Sequence, residues 1–212
     1  MEFEIFKNRI SKLKKMQLPG EAAHRKLAPL IRINELDNID MSKRNPHEAG
    51  VMAVFYPDEM RDTRLVLILR KTYNGVHSNQ VGFPGGRVEL EDEDLEQTAL
   101  RETEEEVGIY RHDIEVVKKL SRLYIPPSNF WVQPYLGIMH TTPVLKAQES
   151  EVEQILEVRL SEFLNDDNLI TENLSTSYAN NIEVPAYRLN GHVVWGATGM
   201  MLSEIRELLL KI

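Results

Sequence analysis

Three glutamates between residues 102 and 106 are the side chains in this sequence best suited to chemistry. Glu105 and Glu106 follow Glu102 by three and four positions, a spacing that places all three carboxylates on one face of a helix. Oxygen ligands of this kind suit hard divalent cations such as Mg²⁺ or Mn²⁺. The charge run alone leaves a second interpretation open, a solvated acidic helix face with no ligand.

The negative charge of the chain is concentrated around these glutamates. The formal net charge is −8, and residues 89–106 hold ten acidic residues and one arginine, a local net charge of −9 that leaves +1 elsewhere. A bound divalent cation would offset part of this charge. Gly85 and Gly86 precede the acidic segment and Gly108 follows it, and glycines there let the backbone approach a ligand closely and cap the helix.

The run from Gly85 to Ile109 resembles the Nudix box, G-x5-E-x7-R-E-U-x-E-E-x-G-U, in which U is aliphatic. The segment R-E-x-x-E-E-x-G-U falls on residues 101–109, although Thr103 stands at an aliphatic position. The spacing from Gly86 to Arg101 is one residue longer than in the general box, so the early acid is either Asp92, counted forward, or Glu93, counted backward. The resemblance implies an α/β Nudix fold, with a mixed β-sheet sandwiched between α-helices, and metal-dependent cleavage of a diphosphate linkage.

The resemblance also implies roles for individual residues. The residues expected to be catalytic are Arg101, which would orient the carboxylates, Glu102 and Glu105. Glu102 is one candidate for the general base, and an acid from a later loop is another. The expected ligands of Mg²⁺ or Mn²⁺ are Glu102, Glu105, Glu106, the Gly86 carbonyl and, as a fourth carboxylate from outside the helix, Glu151, with Glu153 as its alternative.

A stretch upstream of the box is similar to the signature of the coenzyme A diphosphatases, roughly L-R-x-H-x-G-Q-V-S-F-P-G-G. Matching residues are His77, Gln80, Val81 and the run FPGG at 83–86, whereas Gly75 and Asn79 depart from the pattern. The implied reaction is hydrolysis of coenzyme A or its derivatives to 3′,5′-ADP and phosphopantetheine. The alternatives are another nucleoside diphosphate substrate, such as ADP-ribose, or a non-catalytic ligand sensor. The expected substrate-binding residues are Arg70, Lys71, His77, Gln80 and Phe83, with Arg70 or Lys71 near the 3′-phosphate.

Hydrophobic periodicity predicts the elements that must position these residues. Residues 1–45 are predicted to be a helical extension and residues 46–212 the Nudix domain, with paired strands at 49–56 and 64–70, a helix at 95–107 and a closing helix at 199–210. Further strands are predicted at 114–124 and 131–140, and the turn dipeptide Asn190-Gly191 predicts a hairpin. Residues 37–46 are predicted to be a linker or loop, and 151–157 fit either a helix or a strand.

Composition limits the function classes. The chain has 212 residues and no cysteine, which excludes disulfides and thiolate metal sites and suits a cytoplasmic protein. The net negative charge disfavours nucleic acid as a partner. No apolar run approaches the roughly 20 residues of a membrane span, and the N-terminus is a poor signal peptide. We expect a small-molecule nucleotide substrate, and monomer and homodimer remain open.

Overall fold

A computed structural model describes residues 1–71, 80–174 and 182–212 of the chain. Its six α-helices in these ranges are α1 (Phe3–Ile10), α2 (Glu21–Lys26), α3 (Leu30–Asn38), α4 (Leu95–Val107), α5 (Leu160–Leu164) and α6 (Gly196–Leu209). The strands are β1 (His47–Pro57), β2 (Thr63–Arg70), β3 (Val81–Gly82), β4 (Gly85–Arg87), β5 (Glu115–Lys119), β6 (Leu123–Ile125), β7 (Phe130–Ile138), β8 (Val152–Arg159), β9 (Leu169–Leu174), β10 (Ile182–Leu189) and β11 (His192–Trp195). Within the described ranges no helix is long and apolar enough to cross a membrane.

Eight of these strands form one mixed sheet in which β1 is central. β1 runs parallel to β7 on one side. On the other side, its first half pairs antiparallel with β4 and its second half pairs antiparallel with β2. β8 pairs with the far edge of β2, and β5 and β6 pair with the far edge of β7. This arrangement brings the short strand β4 beside the middle of the sheet.

Side chains of β1 alternate between two hydrophobic cores because successive residues of a strand point to opposite faces. Val51, Ala53 and Phe55 belong to the larger core, which α1 and α6 cover. Met52, Val54 and Tyr56 belong to the smaller core, which α4 covers. The sheet therefore lies between helices on both faces, as the Nudix resemblance implies, and the predicted fold class is confirmed.

The N-terminal segment is packed into the larger core. Phe3, Phe6, Ile10 and Leu13 are all at most 1% exposed and share this core with the central sheet. α1 is followed by a 3₁₀ turn at Ser11–Lys15. The apolar face of this segment completes the same core as the strands.

Two elements differ from the sequence-based expectations, and one segment that was open between helix and strand is assigned. Pro29 precedes α3, because its fixed φ suits a helix start and its carbonyl accepts from the Arg32 and Ile33 amides. α3 thus reaches into the predicted linker at 37–46. The single strand predicted at 114–124 is two strands, β5 and β6, and the ambiguous segment 151–157 is largely strand β8.

The C-terminal part forms a smaller antiparallel sheet in the order β11, β10, β9. The predicted hairpin through Asn190-Gly191 is present, with φ values of 47° and 78° at its two turn residues. α6 follows β11 directly, so its first turn reaches the main sheet: the Thr198 hydroxyl donates to the Val81 carbonyl of β3 at 2.9 Å.

Candidate active site

The acidic helix α4 is fixed against the centre of the sheet. Its first turn is capped by the Asp94 carboxylate, which accepts from the Glu96 and Gln97 amides at 2.9 Å each. Gly50 of β1 lies under the start of the helix, where a Cβ atom would come within 2.2 Å of the Leu95 carbonyl oxygen. Only glycine permits this close approach, which brings α4 down onto β1 and next to β4.

Glu106 is the most deeply buried of the three predicted metal-binding glutamates, with 1% of its side chain exposed. It accepts from the Gly85 amide at 2.8 Å and from Arg70 Nη1 at 3.0 Å. Burial raises the pKa of Glu106 to about 7, because the charged form loses water; Arg70 and the Gly85 amide oppose this shift, and the charges of Glu102 and Glu151 add to it.

Arg101 holds the other two glutamates of the face. Its Nη1 donates to Glu102 Oε1 at 3.0 Å and to Glu105 Oε2 at 3.3 Å. Burial raises the pKa of Glu102, against the influence of Arg101 and with that of Glu105 and Glu151. The Glu102 carboxylate lies directly over Gly86, where a Cβ atom would come within 2.4 Å of the carboxyl carbon. The glutamate face of α4 (Glu102, Glu105 and Glu106) is therefore in contact with β4, which is called the glycine strand below because it contains Gly85 and Gly86.

Asp92 is the early acid that engages the arginine of the box. Arg101 donates to both Asp92 oxygens, through Nε at 2.9 Å and Nη2 at 3.0 Å, and the Thr98 hydroxyl donates to the same carboxylate at 2.9 Å. These contacts, led by Arg101, hold the pKa of Asp92 at about 2. Glu93 is exposed. The structure thus favours the forward count from Gly86.

The predicted fourth carboxylate, Glu151, is exposed at the start of β8, and its charge acts on the pKa values of both Glu102 and Glu106. Its carbonyl accepts from the Lys71 amide at 2.9 Å, which ties the end of β2 to this position. Glu153, the alternative, is also exposed. The influence of Glu151 on the pKa values of two box glutamates favours Glu151 as the fourth carboxylate.

The donor set fits a hard divalent cation. Several carboxylates lie close enough together to raise one another's pKa values. One of them, Glu102, lies directly over Gly86. Within residues 1–71, 80–174 and 182–212 no three acidic or histidine side chains converge closely enough to hold one ion. Arginines pair with all three box glutamates: Arg101 with Glu102 and Glu105, and Arg70 with Glu106.

The predicted substrate-binding residues do not all lie at the same place in the structure. Arg70 was expected to bind substrate, but its guanidinium donates to Glu106 and, through Nη2 at 2.6 Å, to the Gly85 carbonyl. Phe83 is 2% exposed and packs in the larger core while lining a cleft. Gln80 precedes β3, and its carbonyl accepts from the Arg70 amide at 3.0 Å. Lys71 follows β2, and His77 lies outside the described residues.

A cleft of about 270 Å³ opens on the α6 side of β4. Gly85, Gly86 and Arg70 border it, so it adjoins the glutamate face. Its walls are mainly apolar and include Val51, Phe83, Ile125, Phe130, Val132 and Met201. An apolar cleft with a few polar groups beside an acidic cluster is suited to the organic part of a substrate whose reacting group lies at the carboxylates.

A family model described as NUDIX domain matches residues 46–173. The chain belongs to the NUDIX domain family. The matched segment contains the whole glutamate face and the glycine strand, so the acidic helix described above is the Nudix box of this chain.

Several relatives carry Nudix names. NudL of Photorhabdus laumondii, an uncharacterized Nudix hydrolase, is 29% identical over 167 residues, which cover 79% of this chain and 87% of that protein. The peroxisomal coenzyme A diphosphatase ndx-8 of Caenorhabditis elegans is 28% identical over 138 residues, or 65% of this chain and 59% of that protein. The mitochondrial Nudix hydrolase 15 of Arabidopsis thaliana is 29% identical, and its match also spans 59% of that protein.

Solved Nudix structures share the fold. A MutT/nudix family protein from Enterococcus faecalis aligns with a TM-score of 0.50 and 19% identity, over 92% of this chain and 74% of that one. The MutT protein from Methanosarcina mazei aligns with a TM-score of 0.50 and 16% identity, over 80% of this chain and 99% of that one.

The Nudix site contains two polar residues that the sequence reasoning did not assign. Arg87 and Ser128 both line the cleft, and the buried Ser128 hydroxyl has no hydrogen-bond partner among the described residues. Arg87 directly follows the glycine pair, so its position in the motif was a usable signal. Ser128 lies in the loop before β7, and no local pattern places that loop against β4; only the parallel pairing of β1 with β7 does so.

Proposed function

We propose that this Nudix chain hydrolyses the diphosphate linkage of coenzyme A or its derivatives, releasing 3′,5′-ADP and (acyl-)phosphopantetheine. The observation that carries the proposal is the contact of the Glu102 carboxylate with the glycine strand beside an apolar cleft. This arrangement provides a place for a charged diphosphate at the carboxylates and for an organic group in the cleft.

The residues proposed to hold Mg²⁺ or Mn²⁺ are Glu102, Glu105, Glu106 and Glu151, with the carbonyl of Gly86 as a further ligand. When bound, the metal would neutralise the diphosphate charge and lower the pKa of an attacking water. Arg101 positions Glu102 and Glu105, and Arg70 positions Glu106. Glu102, which is near the glycine strand and has a raised pKa, is the proposed general base.

Two observations support coenzyme A as the substrate. One is the name of the nematode relative, a coenzyme A diphosphatase 28% identical to this chain. The other is the match of Gln80, Val81 and the FPGG run to the coenzyme A diphosphatase signature, since this run leads directly into β4 and the cleft.

A hydrolysis panel tests this proposal. Coenzyme A, acetyl-coenzyme A, ADP-ribose and diadenosine polyphosphates are incubated separately with the protein and Mg²⁺ or Mn²⁺, and the products are identified by mass. We expect the highest kcat/KM for coenzyme A or an acyl derivative, with 3′,5′-ADP as a product. A preference for ADP-ribose would favour the broader nucleoside diphosphate function. Binding without turnover of any compound would favour a ligand sensor.

The metal assignment is tested by Glu106→Gln. The amide retains the size of the side chain and can still accept from the Gly85 amide, so the fold is retained, but a charged ligand is lost. We expect kcat to fall at least 100-fold, since even outer-shell partners of metals typically contribute 10–100-fold, and Mg²⁺ affinity measured by calorimetry to fall in parallel. The matched control is Glu104→Gln on the same helix, whose carboxylate pairs with Arg111; it should stay active. Parent activity in Glu106→Gln would refute the assignment.

A further inference from the structure

The strand β4 separates two surfaces of the Nudix site. Successive residues of a strand point to opposite faces. A Cβ atom on Gly86 would point at Glu102, so position 86 faces the carboxylates. The neighbouring residue Arg87 therefore faces the other side, and it lines the cleft together with Ala49, its partner in β1.

Arg87 differs from the other cation of the cleft. Arg70 is ion-paired with Glu106, whereas the guanidinium of Arg87 has no ion pair or hydrogen bond within the described ranges. The backbone of Arg87 pairs with Ala49 in β1, and its carbonyl accepts from Arg101. These two arginines are the charged residues among the described lining of the cleft. Ala197 and Thr198 of the first turn of α6 also line it, and the N-terminus of a helix favours anions. Of the two lining cations, Arg87 is thus the one without a counterion among the described residues.

We propose that Arg87 binds a second anionic group of the substrate, a phosphate monoester outside the diphosphate, and that it determines the preference for substrates that carry one. The diphosphate belongs on the carboxylate face, at Gly86 and Glu102, and Arg87 leaves the strand on the opposite face. Arg87 takes the role predicted above for Arg70 or Lys71, because Arg70 is occupied by Glu106 and Lys71 is not among the described residues that line the cleft. This inference rests on the proposed function, in which the 3′-phosphate of coenzyme A is the second anion.

The first test compares kcat/KM for coenzyme A and dephospho-coenzyme A in the parent, Arg87→Ala and Arg87→Lys. A charge-assisted hydrogen bond corresponds to roughly a tenfold to hundredfold effect. We expect Arg87→Ala to lower kcat/KM for coenzyme A at least about tenfold, through a higher KM, and to leave kcat/KM for dephospho-coenzyme A nearly unchanged. For Arg87→Lys we expect a kcat/KM for coenzyme A between those of the parent and Arg87→Ala. The matched control is Arg188→Ala, an exposed arginine of β10 that pairs with Glu172. It should leave both substrates unchanged.

The second test is independent of turnover. Binding of 3′,5′-ADP and of 5′-AMP to the protein without metal is measured by calorimetry. The parent should bind 3′,5′-ADP at least about tenfold more tightly than 5′-AMP, and Arg87→Ala should remove this difference in affinity. If Arg87→Ala lowers the affinity for both nucleotides equally, or lowers kcat/KM equally for coenzyme A and dephospho-coenzyme A, Arg87 acts on the diphosphate and the inference is overturned.

The outcomes separate the inference from the proposed function. If coenzyme A is cleaved but Arg87→Ala leaves the ratio of the two substrates at the parent value, the inference is wrong and the proposed function stands. If coenzyme A is not cleaved but the 3′,5′-ADP preference depends on Arg87, the cleft still binds a second phosphate and the coenzyme A assignment fails.

Discussion

At the scale of single residues, two arginines organise this Nudix site. Arg101 spans Asp92, Glu102 and Glu105, and Arg70 connects Glu106 to the Gly85 carbonyl. Each arginine therefore reduces the repulsion between carboxylates on one helix face and fixes their directions. The guanidinium has several donors in a rigid planar arrangement, which suits this bridging better than a lysine ammonium would.

Substituting Asp92→Asn tests the anchor of Arg101. The folded pKa of Asp92, about 2, lies below its usual value of about 4. Its carboxylate therefore stabilises the fold above pH 4, and this contribution is lost as the pH falls from 4 through 2. We expect the variant to lose roughly 1–2 kcal/mol of unfolding free energy at pH 7, after allowing for solvent screening. The difference between parent and variant should stay constant from pH 7 to 5 and shrink below about pH 4.

Urea unfolding at several pH values provides the measurement. The matched control is Glu93→Gln, the neighbouring exposed acid, which should behave like the parent. If Glu93→Gln is the more damaging change, the backward count of the motif is the right one.

At the scale of elements, the site depends on how closely a helix and a strand approach. Two glycines on paired positions of neighbouring strands, Gly50 and Gly86, make room for α4 and for the Glu102 carboxylate, respectively. A side chain at either position would occupy space that the helix or its carboxylate now fills. The acidic face can therefore contact the strand backbone directly.

The substitution Gly86→Ala tests this contact. Its Cβ would overlap the Glu102 carboxylate, which is the far end of a flexible side chain and can move aside. We expect a loss of about 1–3 kcal/mol in unfolding free energy and, because Glu102 must leave its position, a fall in kcat of at least about tenfold, corresponding to 1.4 kcal/mol of barrier.

The control for this variant is Gly199→Ala in α6, where a Cβ meets the Val194 carbonyl at 3.4 Å, an ordinary contact, and alanine favours the helix. This variant should fold and remain active. If Gly86→Ala has the same kcat as the parent, Glu102 does not need its present position for catalysis.

At the scale of the whole molecule, the N-terminal segment and the Nudix domain share a core. Besides the apolar face of α1, a buried polar network joins them. Glu204 of α6, which is 0% exposed, accepts from His24 Nε2, from the Gly20 amide and from Ser121. Burial alone would raise the pKa of Glu204, but the hydrogen bonds from His24 and Ser121 hold it below its usual value.

The substitution Phe6→Ala tests whether this segment belongs to the cooperative core. The Phe6 ring is 1% exposed, and its centroid lies 5.0 Å from that of Phe55 in β1. We expect the free energy of unfolding to fall by about 3–5 kcal/mol, as for other buried phenylalanines. Ile5→Ala, at a neighbouring position that is 45% exposed, should change it by at most about 0.5 kcal/mol.

Chemical denaturation followed by tryptophan fluorescence measures both variants. Equal, small effects would mean that residues 1–45 form an appendage separable from residues 46–212.

Local features of the sequence determined much of this protein. The acidic helix was predicted with its observed bounds, Leu95–Val107, because its periodicity and its terminal glycine are local signals. The hairpin at Asn190-Gly191 and the pairing of β1 with β2 were predicted for the same reason. The Nudix motif indicated the family because its residues lie in one continuous segment.

Only the tertiary structure decided which distant groups meet. It brought Asp92 rather than Glu93 to Arg101, paired Arg70 with Glu106, and left Arg87 facing the cleft. It also packed α1 into the larger core. The Asp92–Arg101 contact spans only nine residues, but it depends on how the loop before α4 folds back onto the helix. The other outcomes depend on pairing and packing between elements far apart in the sequence. In a strand such as β4, a one-residue change of register would turn each side chain to the other face.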